Sequence, residues 1–182
     1  MRVVSVAAVL MMALPLSAQE TPSALQRSLE LPAHRSLMAK ARGVDPVPFE
    51  SDGCSGGLST SWRVVADLFP DFAEVHQDTP PWEDCCVIHD RVYHDAGGAT
   101  DAEASFEARL GADAALRACV IAKGQTRRDE LAQRYGVARE AIDRAYLAVA
   151  DAMYNAVRFG GGPCLKLPWR WGFGYPNCVA GF

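Results

Sequence analysis

The sequence predicts a mainly α-helical domain that is stabilised by disulfide bonds, and three observations support this fold class. Six cysteines, an even number, follow an N-terminal stretch that is typical of an export signal. Apolar residues recur at helical spacing over roughly 137–158. The segment CCVIHDRVYHD, residues 85–95, places titratable side chains at the same helical spacing.

Residues 1–18 are interpreted as a signal peptide. They carry one positive charge at Arg2, then an apolar run and the small residues Ser17 and Ala18, after which we expect cleavage. The run is shorter than the ~20 apolar residues that a membrane span needs, and no second long run follows. We therefore expect a secreted or periplasmic protein with no transmembrane segment, in which the cysteines form disulfides.

The mature chain is divided into two regions. Residues 19–48 contain scattered prolines and are interpreted as an N-terminal arm or as a short helix around 25–41. Residues 49–182 are predicted to form the main domain. The chain has a net charge of −4 and no basic patch, so we expect no nucleic-acid partner. We also expect a monomer.

Turn signals divide the main domain into helices. Pro81 is well placed to start a helix that runs to about residue 96, where the glycine pair 97–98 ends it. A second helix is expected from about 101 to 123. Thr126 is predicted as the N-cap of a separate segment, and the longest helix is expected at roughly 137–158.

The C-terminal tail has an aromatic residue at every second position. This period of two predicts an extended arm with one aromatic face. Such a face either closes over a core or lies at a lipid interface, and packing is the preferred interpretation. The four residues are Trp169, Trp171, Phe173 and Tyr175.

The helix predicted at 81–96 has two different faces. One face resembles ordinary core and consists of Cys85, Ile88 and Val92. The neighbouring stripe is polar and titratable and consists of Cys86, His89, Asp90 and Tyr93.

Three interpretations of the polar stripe remain open. The first is a disulfide-bonded helix with a solvent-facing His-Asp pair. The second is a zinc site. The third is a catalytic site with His89 as base and Asp90 as ligand for a hard cation. The zinc site would use Cys85, Cys86, His89 and His94, but adjacent cysteines diverge on a helix and oxidation competes for their thiols.

Asp113 lies on an apolar stripe of the second helix, where a carboxylate is costly unless it is paired. Arg109 or Arg117 could pair with it, and so could a histidine on the preceding helix. Other members of the stripe are Phe106, Leu110, Arg117 and Val120.

The cysteines indicate a register for these two helices. Cys85 lies four residues before His89 and Cys119 lies six residues after Asp113. In antiparallel helices these offsets are about 6 and 9 Å, so a Cys85–Cys119 bond would hold His89 against Asp113.

Three segments together resemble the secreted phospholipase A2 superfamily. The resemblance is to the bacterial and fungal-like members, and among these to an uncharacterised bacterial branch. CCVIHDRVY at 85–93 is similar to the active-site helix of that family, DGCSGG at 52–57 to its calcium loop, and ADAALRAC at 112–119 to its second helix. The match covers roughly residues 50–122. The resemblance implies a phospholipase A2-like helical core with a calcium loop.

The resemblance also implies an activity, which is calcium-dependent hydrolysis of phospholipid esters with release of the sn-2 acyl chain. In this family pattern His89 activates a water molecule, Asp113 orients His89, and Tyr93 holds Asp113. The implied substrate is a phospholipid at a membrane surface. The implied Ca²⁺ ligands are Asp52, Gly53, Ser55, Gly57 and Asp90.

The family pairing of cysteines implies the bonds Cys54–Cys86 and Cys85–Cys119, which leaves Cys164 with Cys178. The insert at 58–80 is longer than in small bacterial members. If the helix register differs from the one assumed, Asp101 or Glu103 would take the place of Asp113.

Two other functions remain open. GCSGG at 53–57 also satisfies the Gly-x-Ser-x-Gly pattern of serine esterases, with Ser55 as nucleophile, although no buried strand is expected before it. Alternatively, the chain is a catalytically silent binding module with a phospholipase A2-like scaffold.

Overall fold

The computed structural model describes residues 24–54 and 79–179. Within these ranges the chain forms four α-helices and no β-strand, in agreement with the predicted helical fold class. A short 3₁₀ turn, Ala96–Gly98, follows the second helix. The helices are α1 (Ala24–Ala41), α2 (Glu83–His94), α3 (Ala102–Tyr135) and α4 (Arg139–Gly160).

Helices α3 and α4 form an antiparallel hairpin that carries much of the core. Contacts step in opposite directions along the two helices and include the pairs Gly124–Tyr146, Arg117–Asp151 and Arg109–Val157. The reversal between them occurs at Gly136, whose φ of 63° is the left-handed conformation that favours glycine. The apolar stripe predicted at 137–158 faces the core here: Ile142 and Tyr146 are buried, and the other members are partly buried against the core, namely Val149, Met153 and Val157.

The predicted helix break before Thr126 is wrong, because α3 continues without interruption to Tyr135. The Thr126 hydroxyl donates to the Lys123 carbonyl inside the helix and caps nothing. Gly124 marks a close contact between helices. A Cβ atom at that position would lie 2.4 Å from Cγ of Tyr146, so this glycine allows α4 to approach α3.

Helix α1 packs against α3 and contributes buried side chains to the domain. Leu37 and His34 are both fully buried. The His34 Nδ1 atom lies 2.8 Å from the Ser105 hydroxyl, which also accepts a hydrogen bond of 2.9 Å from the Trp171 indole. The helix expected around 25–41 is therefore present and is fixed to both α3 and the C-terminal tail.

Disulfide bonds attach α2 to its surroundings. Cys85 pairs with Cys119 of α3, Cys86 pairs with Cys54, and the third bond joins Cys164 to Cys178. These are the pairs that the family resemblance implied. The prediction that Ile88 belongs to the core face of this helix is wrong, because its side chain is 61% exposed.

The C-terminal tail is a series of turns and bends over residues 163–175, so the predicted extended arm is wrong. The buried Arg170 guanidinium stabilises these turns, since it donates to the carbonyls of Trp171, Gly172 and Tyr175. The preference for packing over a lipid interface is confirmed for Trp171. This residue is fully buried, with its ring 4.8 Å from that of Tyr93.

No helix in the described part of the chain combines the length and the apolar character that crossing a bilayer requires. The predicted signal peptide at 1–18 and most of the insert at 58–80 lie outside the described residues.

Candidate active site

The centre of the candidate site is a contact between α2 and α3. The Nε2 atom of His89 lies 3.0 Å from Oδ1 of Asp113, and both side chains are buried. The Cys85–Cys119 bond fixes the register of the two helices on which these residues lie. An ionised carboxylate only accepts hydrogen bonds, so Nε2 carries the proton and Nδ1 is the basic nitrogen of the ring.

Asp113 has two further donors, which explains how a fully buried carboxylate is accommodated. The Tyr93 hydroxyl donates to Oδ1 at 2.6 Å, and Arg158 of α4 donates to Oδ2 at 2.8 Å. The two arginines considered as alternative partners of Asp113 form ion pairs elsewhere: Arg109 pairs with Glu30 and Arg117 with Asp151.

The alternative register, in which Asp101 or Glu103 replaces Asp113, is wrong. Asp101 caps the start of α3 by accepting a hydrogen bond from the Ala104 amide. Glu103 forms an exposed ion pair with Arg27 of α1. Both lie at the N-terminal end of α3, away from His89.

The electrostatic environment favours an ionised Asp113. Burial alone would raise the pKa of this carboxyl, but the hydrogen bond from His89 and the charge of Arg109 outweigh burial and lower the pKa. Burial likewise disfavours a charged His89, yet the hydrogen bonds and charges of Asp113 and Asp90 raise its pKa. These two carboxylates thus stabilise the imidazolium that would form if His89 accepted a proton as a base.

Tyr93 is held in its protonated form. Burial, with the nearby charge of Asp113, raises the pKa of the Tyr93 hydroxyl, so this group remains a donor to Asp113. Arg109 donates in turn to the Tyr93 oxygen at 3.3 Å.

The segment that precedes Cys54 lies against Asp90. The Ser51 hydroxyl donates to Oδ2 of Asp90 at 2.7 Å and accepts from the Gly53 amide at 3.2 Å. Gly53 has a φ of 83°, which a residue with a side chain rarely adopts. The Cys54–Cys86 bond ties this segment to α2 one helical turn before Asp90.

Asp52 and Asp90 both line a cavity of about 300 Å³. Its other walls are Glu50, Ser51, Pro168, Trp169 and Phe173. The charged lining is made of carboxylate oxygens, the donor type that Ca²⁺ prefers. Ser55 and Gly57, two of the predicted Ca²⁺ ligands, lie outside the described residues.

The described residues contain no group of three His, Cys, Asp or Glu side chains arranged to hold a metal ion. The zinc interpretation is wrong, because both Cys85 and Cys86 are in disulfide bonds and present no thiolate. The oxygen donors beside Asp90 are compatible in type with a hard cation. Completing a Ca²⁺ site there would require backbone carbonyls of the loop.

A second cavity of about 330 Å³ reaches His89 and is mainly apolar. It lies against α4, and its lining includes Leu116, Ala152, Met153, Ala156 and Val157. Asp90 and Trp169 belong to the walls of both cavities. The two cavities therefore adjoin at Trp169 and at Asp90, one residue along α2 from His89.

Sequence reasoning missed Glu30 and Arg158 as members of the site, and it named Arg109 only as a possible direct partner of Asp113. Arg158 follows the apolar stripe of α4 by one residue, and Glu30 lies in the region interpreted as an arm. Neither position carries a local pattern that separates it from an ordinary surface charge.

No protein-family model, curated protein or solved structure matches this chain. The assignment of a function therefore depends on the residues and on their arrangement.

Proposed function

We propose that the protein is a calcium-dependent hydrolase of the phospholipase A2 type, which releases the sn-2 acyl chain of phospholipids. One observation carries the proposal. The buried Asp113 holds His89 through Nε2, while the imidazole lies on the wall of an apolar cavity, next to Asp90, which lines a second cavity together with two further acidic side chains.

The chemistry follows from the orientation of the imidazole. The Nδ1 atom of His89 takes a proton from a water molecule, and the hydroxide attacks the ester carbonyl. Asp113 stabilises the imidazolium that forms, and His89 then gives the proton to the departing alkoxide. The products are a fatty acid and a lysophospholipid.

The cation would supply positive charge near the oxyanion that develops on the carbonyl oxygen. Asp90 and Asp52 are the side chains that would hold it, with the backbone carbonyls of Gly53, Ser55 and Gly57. The Ser51–Asp90 hydrogen bond and the Cys54–Cys86 bond support this assignment, because both bring the loop to Asp90.

The two adjoining cavities support an amphiphilic substrate. An acyl chain suits the apolar cavity beside Met153 and Val157, and the polar part of the molecule suits the chamber beside Asp52 and Asp90. A water-soluble ester without a long chain would leave the apolar cavity unused.

The test is release of fatty acid from phosphatidylcholine vesicles, measured with calcium and then with a chelator. We expect release that stops with the chelator and falls by more than about 100-fold in His89→Gln, since the general base is removed. Ile88→Gln is the matched control, because it introduces the same side chain at an exposed neighbouring position of α2.

The other functions give different results in the same assay. Vesicle binding without any release of fatty acid would contradict the proposal and identify a silent binding module. Complete loss of release in Ser55→Ala, with calcium binding intact, would identify a serine esterase.

A further inference from the structure

A network of four charged side chains joins three helices behind the His89–Asp113 pair. The two carboxylate oxygens of Glu30 on α1 accept from different guanidinium groups: Oε2 from Arg109 at 2.6 Å, and Oε1 from Arg158. Arg158 also donates to Oδ2 of Asp113 at 2.8 Å. A continuous chain of ion pairs therefore links the N-terminal helix to the buried carboxylate.

The charges in this network balance, with two carboxylates and two guanidinium groups. Asp113 and Arg109 are almost fully buried, and the side chain of Arg158 is only 10% exposed. A charge in such surroundings is costly when it loses its partner. Removal of any one member therefore leaves a neighbour that must move or change its protonation state.

The two oxygens of the Asp113 carboxylate accept hydrogen bonds from different groups. Oδ2 is occupied by Arg158, whereas Oδ1 receives both His89 and Tyr93. Rotation of the carboxylate would break all three hydrogen bonds, so Arg158 fixes the orientation in which Oδ1 faces the imidazole. Without Arg158, nothing that the structure describes would hold Oδ2 in place.

Glu30 fixes Arg158 more than it fixes Arg109. Arg109 also donates to the Tyr93 hydroxyl and to the carbonyls of Val157 and Arg158, so it remains anchored without Glu30. Arg158 has Glu30 as its second recorded ion-pair partner besides Asp113. Loss of the Glu30 charge should therefore loosen Arg158 first.

We propose that Arg158 and Glu30 are positioning residues of this site, an inference that rests on the hydrolysis proposed above. Arg158 aims the Asp113 carboxylate at His89, and Glu30 holds Arg158 from the N-terminal helix. Helix α1 lies outside the 50–122 segment that carries the family resemblance, yet it completes the support of the base.

The experiment compares Arg158→Met, Arg158→Lys and Glu30→Gln with Arg117→Met in the mature chain. Arg117 is the matched control, because its ion pair with Asp151 also joins α3 and α4 but its side chain is 41% exposed. The readouts are kcat and KM for fatty-acid release at fixed calcium, and the NMR signal of the hydrogen-bonded Nε2 proton of His89 in ¹⁵N-histidine-labelled protein.

We expect Arg158→Met to lower kcat by about 10- to 100-fold, the size of effect that misplaced catalytic groups produce, and to leave KM almost unchanged. The Nε2 proton signal should broaden or disappear. Arg158→Lys should recover part of kcat, and Glu30→Gln should show a smaller loss in the same direction. Arg117→Met should retain both the rate and the signal.

The proposal is overturned if Arg158→Met and Glu30→Gln match Arg117→Met in kcat and keep the Nε2 proton signal. If Arg158→Met does not fold by near-ultraviolet circular dichroism, Arg158→Lys and Glu30→Gln decide the question by the same readouts. If the wild-type protein releases no fatty acid, the proposed function fails, and the NMR comparison alone decides whether these residues position His89.

Discussion

At the scale of single residues, His34 is a buried histidine outside the His89–Asp113 pair. Burial, together with the charges of Arg109 and Arg158, lowers its pKa from 6.5 to about 3. Its neutral ring packs against Phe106 and Trp171, and its Nδ1 atom contacts the Ser105 hydroxyl. A proton on this ring has no carboxylate to stabilise it among the contacts that the structure records.

This histidine predicts a loss of stability in acid. The unfolded state binds the proton below about pH 6.5 and the folded state only near pH 3, so the free energy of unfolding falls as the pH drops through that window. One such group contributes a slope of about 1.4 kcal/mol per pH unit. Urea unfolding of wild type and His34→Gln at pH 7, 5.5 and 4 measures the difference between their slopes. Parallel slopes would contradict the prediction.

Tyr93→Phe tests the hydroxyl that donates to Asp113. The ring still packs on Trp171, but Asp113 loses one donor and Arg109 loses an acceptor. We expect the free energy of unfolding to fall by about 1–3 kcal/mol, the usual cost of unsatisfied buried polar groups. Urea unfolding at pH 7 measures it, and a variant as stable as wild type would show that the hydroxyl contributes no net stability.

At the scale of elements, glycines of the same helix have opposite roles. Gly124 faces Tyr146 at a distance too short for a Cβ atom, whereas a Cβ at Gly111 would meet nothing within 4 Å. Alanine is a better helix former than glycine by about 1 kcal/mol. The same substitution should therefore have opposite effects at these two positions of α3.

We expect Gly111→Ala to raise the melting temperature and Gly124→Ala to lower it, because the second change forces α4 away from α3. Thermal unfolding with the disulfides intact compares the two variants directly. A stabilising Gly124→Ala would mean that Tyr146 moves aside at little cost, so that the close contact of the hairpin is not required.

Local patterns explain which elements could be predicted from the sequence. The apolar stripe of α4 and the polar stripe of α2 are periodic, so helix positions and the face of His89 followed from spacing. A glycine gives the same local signal whether it ends a helix or admits a neighbouring side chain, so the length of α3 did not follow. The turns of the tail depend on Arg170 binding three carbonyls, which the alternation of aromatic residues does not encode.

At the scale of the whole molecule, the candidate site combines short and long separations along the chain. The His89–Asp113 pair spans 24 residues, and the cysteine spacing was enough to indicate it. Arg158 lies 45 residues from Asp113 and 128 from Glu30. Such contacts depend on how α1 and α4 dock in three dimensions, and no spacing rule in one sequence specifies that docking.

The disulfide bonds give a prediction at this scale. The Cys54–Cys86 and Cys164–Cys178 bonds span 32 and 14 residues, so loop-closure entropy predicts a similar stability loss of about 3–4 kcal/mol for removing either. Only the first bond holds the loop beside Asp90. In the calcium-dependent hydrolysis proposed above, replacing Cys54 and Cys86 by serine should therefore raise the calcium concentration needed for the half-maximal rate, whereas the same change at Cys164 and Cys178 should not.

Calcium titrations of fatty-acid release at 20 °C, with folding checked by circular dichroism, compare the two double variants. An unchanged calcium requirement after loss of the Cys54–Cys86 bond would show that the loop keeps its position without the bond. An equal shift in both variants would attribute the effect to general destabilisation.

The hydrogen bonds between the tail and α2 constrain the order in which contacts can form while the chain is being synthesised. The amides of Gly172 and Gly174 donate to the carbonyls of Tyr93 and His94 at the end of the helix that bears His89. These donors lie 79 and 80 residues after their acceptors in the chain, so the two hydrogen bonds cannot form until the tail has been translated. The helix that bears His89 therefore gains these two hydrogen bonds only after the tail has been synthesised, and a chain that stops before the tail would lack both of them.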